Sequence, residues 1–385
     1  MNARRLAPCA AALALSLLSG CGLSRGIYSN YRPLEELQLV ETLGADADEG
    51  GVLLSASAGT DAAGGGAVLS ARADALVPGL EALQDRAVRG QVFFAHTQYL
   101  VLGQGFAENG VGGLFDYVER DIHMRMGTGL FVVRDGTAAA LVTGAGGDWD
   151  ASGVLASVRR ETAARGDSHV FDLRETAVAL SEYGAALICA LRVVGTEGGV
   201  YDTEPGLSAV PAGYGILKDG RLIGFLDGDE ACAASLLLGT LGVIPVLLPD
   251  GSGGAVSIEV RCARPDFRCE KAPDGRLVLE ITAHPEAAIT AADGGADVAA
   301  DASLETLTAA LNARVCADIE RAVSRAQAMD ADYLALGRAL RLRGIDPAAL
   351  PPDWLRTLSL RVTADTTLTR SYDMGAPAGM NGGGG

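Results

Sequence analysis

The sequence predicts an α+β protein of two or three mixed α/β modules, in which the C-terminal module is an antiparallel sheet packed on a long helix. Three observations indicate this class. In the first half of the chain, short apolar runs alternate with segments of helical period. In the second half, alternating strand patterns precede one long amphipathic segment, 303–343. The length of 385 residues exceeds what one hydrophobic core usually covers, which favours about two domains.

The first element of the chain is an export signal. Two arginines near the start precede a nearly pure run of Leu and Ala, and the small residues Ser19 and Gly20 lead directly to Cys21. This arrangement is typical of a secretory signal peptide, residues 1–20, that ends in a lipobox. The apolar run is shorter than the roughly 20 residues that span a bilayer. We expect lipidation of Cys21, so that residues 21–30 form a polar tether; an ordinary signal followed by a chance cysteine is the alternative.

The segment 31–195 is expected to form an N-terminal domain in which strands alternate with helices. Strands are predicted where runs are apolar or alternating, at 37–40, 52–55, 99–103, 130–133 and 185–194. Helices are predicted at 73–89, at 106–119 with a break at its glycines, and from Ser152, whose hydroxyl can cap the first turn. The segment 196–213 is rich in Gly, Pro, Thr and Glu and is predicted to be an inter-domain linker.

The segment 214–375 is expected to form a C-terminal domain. Its predicted elements are a hairpin at 214–225, a helix over 227–238 that starts with a capping-box-like Asp227 and Glu230, strands near 256–260 and 277–281, a helix at 303–343 and a strand at 357–364. The apolar run 233–248 is too short to span a membrane and contains Pro245, which favours a buried helix followed by a strand. Residues 376–385 are expected to be a disordered tail.

Charge and cysteine content exclude several classes of function. The chain carries 31 Lys and Arg against 48 Asp and Glu, a formal charge of −17, and loss of the signal's two arginines leaves −19. This acidity disfavours nucleic acid and anionic lipid as partners. Five cysteines remain beyond Cys21, an odd number without Cys-x-x-Cys spacing, so most are expected to be small buried hydrophobes. A bridge between Cys262 and Cys269 remains an alternative.

No motif for catalysis, metal or cofactor binding stands out. The sequence has no Gly-x-Ser-x-Gly elbow, His-Glu-x-x-His, phosphate-binding loop or Asp-rich calcium loop. Gly103 and Gly105 supply half of a dinucleotide fingerprint, but the third glycine is missing, which favours a tight strand-to-helix turn. His96 is interpreted as a core histidine, and Arg120 and Asp121 as part of a charged helix end. We therefore expect no catalytic residue, no cofactor, no metal and no enzymatic activity.

Several strings resemble the Ger(x)C family, the lipoprotein C subunits of spore germinant receptors. They are the segments 31–44, 91–121, 215–230 and 332–337. These segments follow one another in the same order as in that family, and a lipobox precedes them. The family's tryptophan and charged string after the lipid cysteine are absent here. The resemblance implies a non-enzymatic subunit that is lipid-anchored to the outer face of the cytoplasmic, or inner spore, membrane. It also implies assembly with two integral-membrane subunits in nutrient-triggered germination, with His96, Gly103, Arg120 and Asp121 as motif residues of structural role.

Two other classes of function are weighed against this one. A solute-binding lipoprotein of a transporter would share the anchor and the two modules, but such proteins typically have doubly wound repeats, whereas the second module here has strands, one long helix and a final strand. An exported hydrolase is disfavoured because no nucleophile motif is present.

Overall fold

The computed structural model describes residues 37–58, 67–87, 90–120, 124–144, 149–196, 206–249, 254–273, 276–292 and 301–370. The expected signal peptide, Cys21, the tether, Asp121 and the expected tail lie outside these residues. Within them the strands form three sheets, of nine, four and three strands, with helices on their faces. The α+β class is confirmed.

The largest sheet has four parallel strands at its centre. Its strands are β1 (Leu37–Asp48), β2 (Gly51–Ala58), β3 (Ala67–Ala73), β4 (Gln91–Phe93), β5 (Tyr99–Gly103), β6 (Gly129–Val133), β7 (Ala185–Thr196), β8 (Gly206–Lys218) and β9 (Arg221–Leu226). Their order is β3-β2-β1-β5-β6-β7-β8-β9, and β4 also pairs with β1. Strands β1, β5, β6 and β7 run parallel, while β2, β3, β8 and β9 add to the two sides as antiparallel hairpins. Every residue of β5 and β6 is buried, as expected for parallel strands covered on both faces.

In the described ranges, six helices cover this sheet. They are α1 (Leu76–Asp85), α2 (Gln104–Asn109), α3 (Gly112–Arg120), α4 (Ala138–Thr143), α5 (Ala151–Ala164) and α6 (Leu173–Tyr183). Successive side chains of β5 point to opposite faces of the sheet. On one face, Leu100 and Leu102 pack with α1, α2, α3 and α6. On the other face, Tyr99 and Val101 pack with α4 and α5. The first turn of α5 is capped by Asp150, which accepts a hydrogen bond from Gly153, rather than by the predicted Ser152.

The C-terminal part combines two small sheets with a long helix. Its helices are α7 (Gly228–Leu238), α8 (Asp301–Met329), α9 (Leu336–Arg341) and α10 (Trp354–Thr357). Its strands are β10 (Ile244–Pro249), β11 (Ala255–Cys262), β12 (Asp266–Lys271), β13 (Leu277–Ala283), β14 (Pro285–Ala292), β15 (Ser359–Ala364) and β16 (Thr367–Arg370). The sheets have the orders β10-β11-β14-β16 and β12-β13-β15, antiparallel except where β15 and β16 add in parallel. Helix α8 packs on α7 and on β15.

The predicted linker is wrong in its second half. Residues 206–213 form the start of β8 and pair with β7 in antiparallel register, so the large sheet continues without interruption to Leu226. Two residues that suggested a linker have local roles in the strand. Pro211 lies where the β7–β8 register shifts, a position that tolerates a residue without an N–H. Gly213 has φ +78°, and a Cβ there would lie 1.9 Å from the carbonyl oxygen of Leu226.

The predicted helix over 303–343 is two helices. Asp330 and Ala335 have left-handed φ values of 52° and 54°, so the chain leaves α8 after Met329 and re-enters helix at Leu336. The apolar period continues across this break, which is why periodicity alone did not reveal it. The predicted buried helix and strand within 233–248 are present as α7 and β10. No helix among the described residues is long and apolar enough to cross a membrane.

Candidate functional site

Gly103 ends β5 at a point where no side chain would fit. A Cβ on this residue would lie 1.9 Å from Oδ1 of Asp46. Asp46 is 3 % exposed, and its two carboxylate oxygens accept hydrogen bonds of 2.7 Å from the backbone N–H groups of Ala138 and Ala139, at the start of α4. The glycine therefore makes room for a buried carboxylate that caps a helix, and not for a phosphate.

The environment of Asp46 sets two opposing effects on its acidity. Burial raises the pKa of the carboxyl group, while the hydrogen bonds from Ala139 and Ala138 favour the charged form and lower it. Burial is the larger effect, so the pKa lies above its ordinary value. Asp46 is 92 residues away from Ala138 in the sequence, and no local motif signals the contact.

The other family-motif residues do not converge on this position. His96 lies in a single turn of 3₁₀ helix, Phe94–His96, at the opposite end of β5 from Gly103, and its side chain is half-buried. Arg120 ends α3 with a side chain that is 78 % exposed, and its Nε donates a 2.8 Å hydrogen bond to Asp116 one turn earlier. The expected charged helix end is thus present at Arg120. Gly103, His96 and Arg120 thus lie at separate positions of the fold and are not brought together into one site.

A second buried carboxylate repeats the Asp46 arrangement in the C-terminal part. Oδ1 and Oδ2 of Asp332 accept 2.7 Å hydrogen bonds from the N–H groups of Leu336 and Gly337, at the start of α9. Burial raises its pKa to about 7, against the lowering effect of the two hydrogen bonds and of Arg341. Asp332 therefore caps the start of α9, while the left-handed Asp330 directly follows the end of α8.

Two arginines join the large sheet to the C-terminal helices. Arg134, directly after β6, donates a 2.7 Å hydrogen bond to Asp227, and its guanidinium lies 5.0 Å from the centre of the Phe225 ring. Arg325, on α8, donates to Glu230 on α7 and, over 2.8 Å, to the carbonyl oxygen of Phe225. The predicted capping box of α7 is wrong, because the Asp227 side chain makes no cap hydrogen bond and binds an arginine of a distant element instead.

Next to this connection lies the candidate site, a cleft of about 450 Å³ that we call the inter-module cleft. It is bounded by the end of α5, the start of α7, strand β10 and the middle of α8. Its inner wall is apolar, and its rim is charged. The lining includes Cys232, Val243, Ile244, Val246, Val260, Leu311 and Val315 on the wall and Arg165, Asp167, Asp229, Arg314 and Asp318 on the rim.

The rim charges of the cleft pair with one another. Arg314 forms ion pairs with Asp229 and Asp318, and Arg165 forms ion pairs with Asp167 over 3.0 Å and with Glu161 over 2.8 Å. Because these cations already have carboxylate partners, the cleft offers mainly apolar surface. Its chemistry fits an apolar side chain better than a charged small molecule.

Both halves of the chain, and its fold, are similar to those of known proteins. The family model described as spore germination protein N-terminal domain matches residues 30–153, and that described as spore germination B3/GerAC-like, C-terminal, matches residues 212–372. The chain belongs to the Ger(x)C family. The crystal structure of the GerBC protein is similar to this Ger(x)C protein in fold, with a TM-score of 0.56 and 16 % identity over 85 % of this chain and 96 % of that chain. A search of curated proteins finds no match.

The five cysteines in the described part of this Ger(x)C protein are free thiols. Cys262 and Cys269, the pair for which a bridge was an alternative, are both free. Burial raises the pKa of the Cys262 thiol to about 11 and that of Cys232, in the cleft, to about 12, so both are protonated at neutral pH and are poor nucleophiles. Among the described residues no group of three His, Cys, Asp or Glu side chains is placed to hold a metal ion.

Sequence reasoning missed the residues that connect the parts of this Ger(x)C protein. Asp46, Arg134 and Arg325 bind groups about 90 to 100 residues away, so their spacing carries no local signal. One clue was present. An aspartate inside a strand of otherwise buried small and apolar residues, as at Asp46, must have hydrogen-bond partners once it is buried.

Proposed function

We propose that this Ger(x)C protein is a lipid-anchored subunit of a spore germinant receptor and acts by assembly with two integral-membrane subunits in nutrient-triggered germination. The observation that carries the proposal is the match of both family models, in order, on one chain whose fold is that of the GerBC protein. The alternative, a solute-binding lipoprotein of a transporter, gains no support from the continuous nine-stranded sheet, since such proteins have two separate lobes.

We propose docking, not chemistry, as the subunit's contribution. The inter-module cleft presents apolar surface inside a ring of paired charges, which is the composition of a protein interface with an apolar centre and a polar rim. The buried thiols and carboxylates described above either are protonated or hold helix starts, so they have no free role in a reaction.

The proposed anchor depends on one residue, and a Cys21→Ala substitution tests it. We expect the variant to lose acylation and membrane retention, and spores that carry it to lose the nutrient response, because a single thiol accepts the lipid. Incorporation of a labelled fatty acid, the membrane fraction and germination are measured together. Cys9→Ala, within the signal peptide, is the matched control and keeps all three. Membrane retention of a processed but unacylated Cys21→Ala protein contradicts the anchor.

Partner assembly is tested by purification of the full-length protein from spores in mild detergent. We expect two multi-span membrane proteins to purify with it. Co-purification of a transport permease together with an ATPase instead of these proteins supports the solute-binding alternative and overturns the receptor proposal.

A further inference from the structure

Four arginines and an exposed leucine lie together beside α9. We call this surface the arginine patch and define it as Arg264, Arg338, Arg341, Leu342 and Arg343. The Leu342 side chain is 72 % exposed, a larger fraction than for any other large hydrophobic residue in the described ranges. An apolar side chain flanked by arginines at the surface is the composition that lets a protein contact both headgroups and the acyl boundary of a bilayer.

Specific contacts hold the arginines of the patch in place. Arg341 donates hydrogen bonds of 3.0 and 3.1 Å to the side chain and backbone oxygens of Glu182, and its guanidinium lies 5.6 Å from the Tyr183 ring centre. Arg343 donates two hydrogen bonds, of 3.0 and 2.7 Å, to the carbonyl oxygen of Phe267. The guanidinium of Arg264 lies 5.5 Å from the centre of the Phe267 ring. Contacts with the end of α6 and with Phe267 of β12 thus fix three of the four arginines of the patch.

The patch carries excess positive charge. Among the described residues, Arg341 alone of its four arginines has an ion pair, with Glu182, and Nε of Arg264 is buried there without a hydrogen-bond partner. Burial and the neighbouring Arg338 lower the pKa of Arg264, a sign that the cations repel one another.

Three carboxylates of the neighbouring segments have partners of their own. Asp266 faces His284 at 3.5 Å, Asp330 faces Arg356 and Lys218 at 3.2 and 3.8 Å, and Asp346 caps the turn that follows α9 by accepting from Ala348. The patch thus gathers four arginines beside one paired carboxylate, Glu182, on a chain of formal charge −17.

Strand register places the patch on the edge of the sheet where the chain enters the fold. Thr42 of β1 is level with Tyr99 of β5, and Tyr99 is level with Gly129 of β6, so the parallel strands begin at one edge. Tyr183, under Arg341, comes directly before β7, which begins at the same edge. Strands β1 and β7 are three positions apart, roughly 14 Å at the usual strand spacing.

We propose that the arginine patch docks on the anionic phospholipid headgroups of the membrane to which the chain is tethered. The inference rests on the proposed anchor at Cys21. Leu37 follows Cys21 by 16 residues, which reach roughly 55 Å when extended, so the edge that carries the patch lies within range of the bilayer. Guanidinium groups bind phosphate oxygens in bidentate geometry, and the acidic remainder of the molecule is repelled by the same surface, which orients the protein.

Arginine footprinting of the full-length lipidated protein tests this orientation. The protein is reconstituted into vesicles of phosphatidylcholine alone or of phosphatidylcholine mixed with phosphatidylglycerol, treated with phenylglyoxal, and read by mass spectrometry. We expect modification of Arg338 and Arg343 to fall about fivefold in the anionic vesicles, the effect of one basic residue held at a charged surface. High salt reverses the protection. Arg72 and Arg192 are internal controls, because both lie towards the opposite edge of the sheet and keep their modification.

A double variant shows whether the patch itself causes the protection. In Arg338→Gln/Arg343→Gln, protection of Arg341 in anionic vesicles is lost, whereas Arg159→Gln/Arg160→Gln, which removes the same charge from exposed positions of α5, keeps it. Equal modification in both vesicle types, or protection of all arginines alike, overturns the proposal. So does protection that appears only with a partner protein. Flotation with neutral vesicles reports on the lipid anchor alone, so a failed anchor is distinguished from a failed patch.

Discussion

At the scale of single residues, two buried aspartates show how this fold starts helices against its core. Asp46 and Asp332 each offer both carboxylate oxygens to two N–H groups in the first turn of a six-residue helix. Helices this short are not stable alone, and their first N–H groups need acceptors. A buried carboxylate meets that need but is costly to desolvate, which is why burial shifts both pKa values upwards.

The contact between Gly103 and the Asp46 carboxylate can be tested by substitution of the glycine. Gly103→Ala places a methyl group against the carboxylate, so the two hydrogen bonds to α4 must lengthen or break, and we expect a loss of about 2–4 kcal/mol in the free energy of unfolding. Gly105→Ala is the matched control. Its Cβ meets only Ala47 at 3.7 Å within α2, so the variant is expected to be as stable as the parent or more stable by up to about 1 kcal/mol. Equal effects in urea denaturation contradict the account of Gly103.

The raised pKa of Asp332 predicts a pH-dependent stability. Because folding raises this pKa from 3.8 to about 7, the unfolded chain releases the proton first as the pH rises. The free energy of unfolding therefore falls between about pH 4 and pH 7, by about 1.4 kcal/mol per pH unit from this group. Asp332→Asn cannot titrate, so its stability relative to the parent rises over that range, although at low pH it is less stable because the amide N–H₂ replaces one acceptor.

Urea denaturation at several pH values measures the Asp332 effect. The exposed Asp353, which makes no cap hydrogen bond at the start of α10, provides the matched control, and Asp353→Asn is expected to change the free energy of unfolding by less than about 0.5 kcal/mol. A constant difference between Asp332→Asn and the parent across the range contradicts the assignment.

At the scale of elements, the strands and turns that depend on nearby residues were predicted correctly from the sequence. The fully apolar runs of β5 and β6 and the Asp219-Gly220 hairpin turn, where both residues have positive φ, are found where expected. The linker was mispredicted because the pairing of β8 with β7 joins residues across a Gly-rich and Pro-rich segment. The long helix was mispredicted because its break depends on the left-handed backbone of Asp330 and Ala335 and on the capping of α9 by Asp332, which the apolar period does not report.

The connection between elements is tested at Arg325. Arg325→Ala removes the hydrogen bonds from α8 to Glu230 and to the Phe225 carbonyl and leaves a half-buried carboxylate unpaired, so we expect a loss of about 2–3 kcal/mol in stability. Arg321→Ala, one turn earlier on the same helix, removes a more exposed arginine and is expected to lose less than about 1 kcal/mol. Thermal unfolding of both variants makes the comparison, and a larger loss for Arg321→Ala contradicts the role of Arg325.

At the scale of the whole molecule, the two family segments share one scaffold. The C-terminal family model begins within β8, yet β8 and β9 complete the sheet of the N-terminal part, and Arg134 and Arg325 hold the end of β9 from both sides. The candidate site likewise combines elements from the N-terminal and C-terminal parts of the chain. The sequence predicted the family, but the inter-module cleft is built from the end of α5, α7, β10 and α8, whose meeting is set by long-range packing that no spacing in the chain encodes.

If the subunit acts by docking, the lipid anchor serves only to raise the local concentration of the subunit at the membrane. Another kind of membrane anchor should then replace the lipid. Confinement by a short tether gives effective concentrations in the millimolar range, so weak contacts at the cleft suffice for assembly. We therefore expect that replacing residues 1–30 with a single membrane-spanning helix of the same orientation restores germination to spores in which Cys21→Ala does not. The helix-anchored and lipidated proteins are compared at equal membrane abundance, measured by immunoblot, for the rate of the nutrient response. A helix-anchored protein that reaches the membrane at parent levels and stays inactive contradicts the docking account, because the acyl chains would then do more than hold the subunit in place.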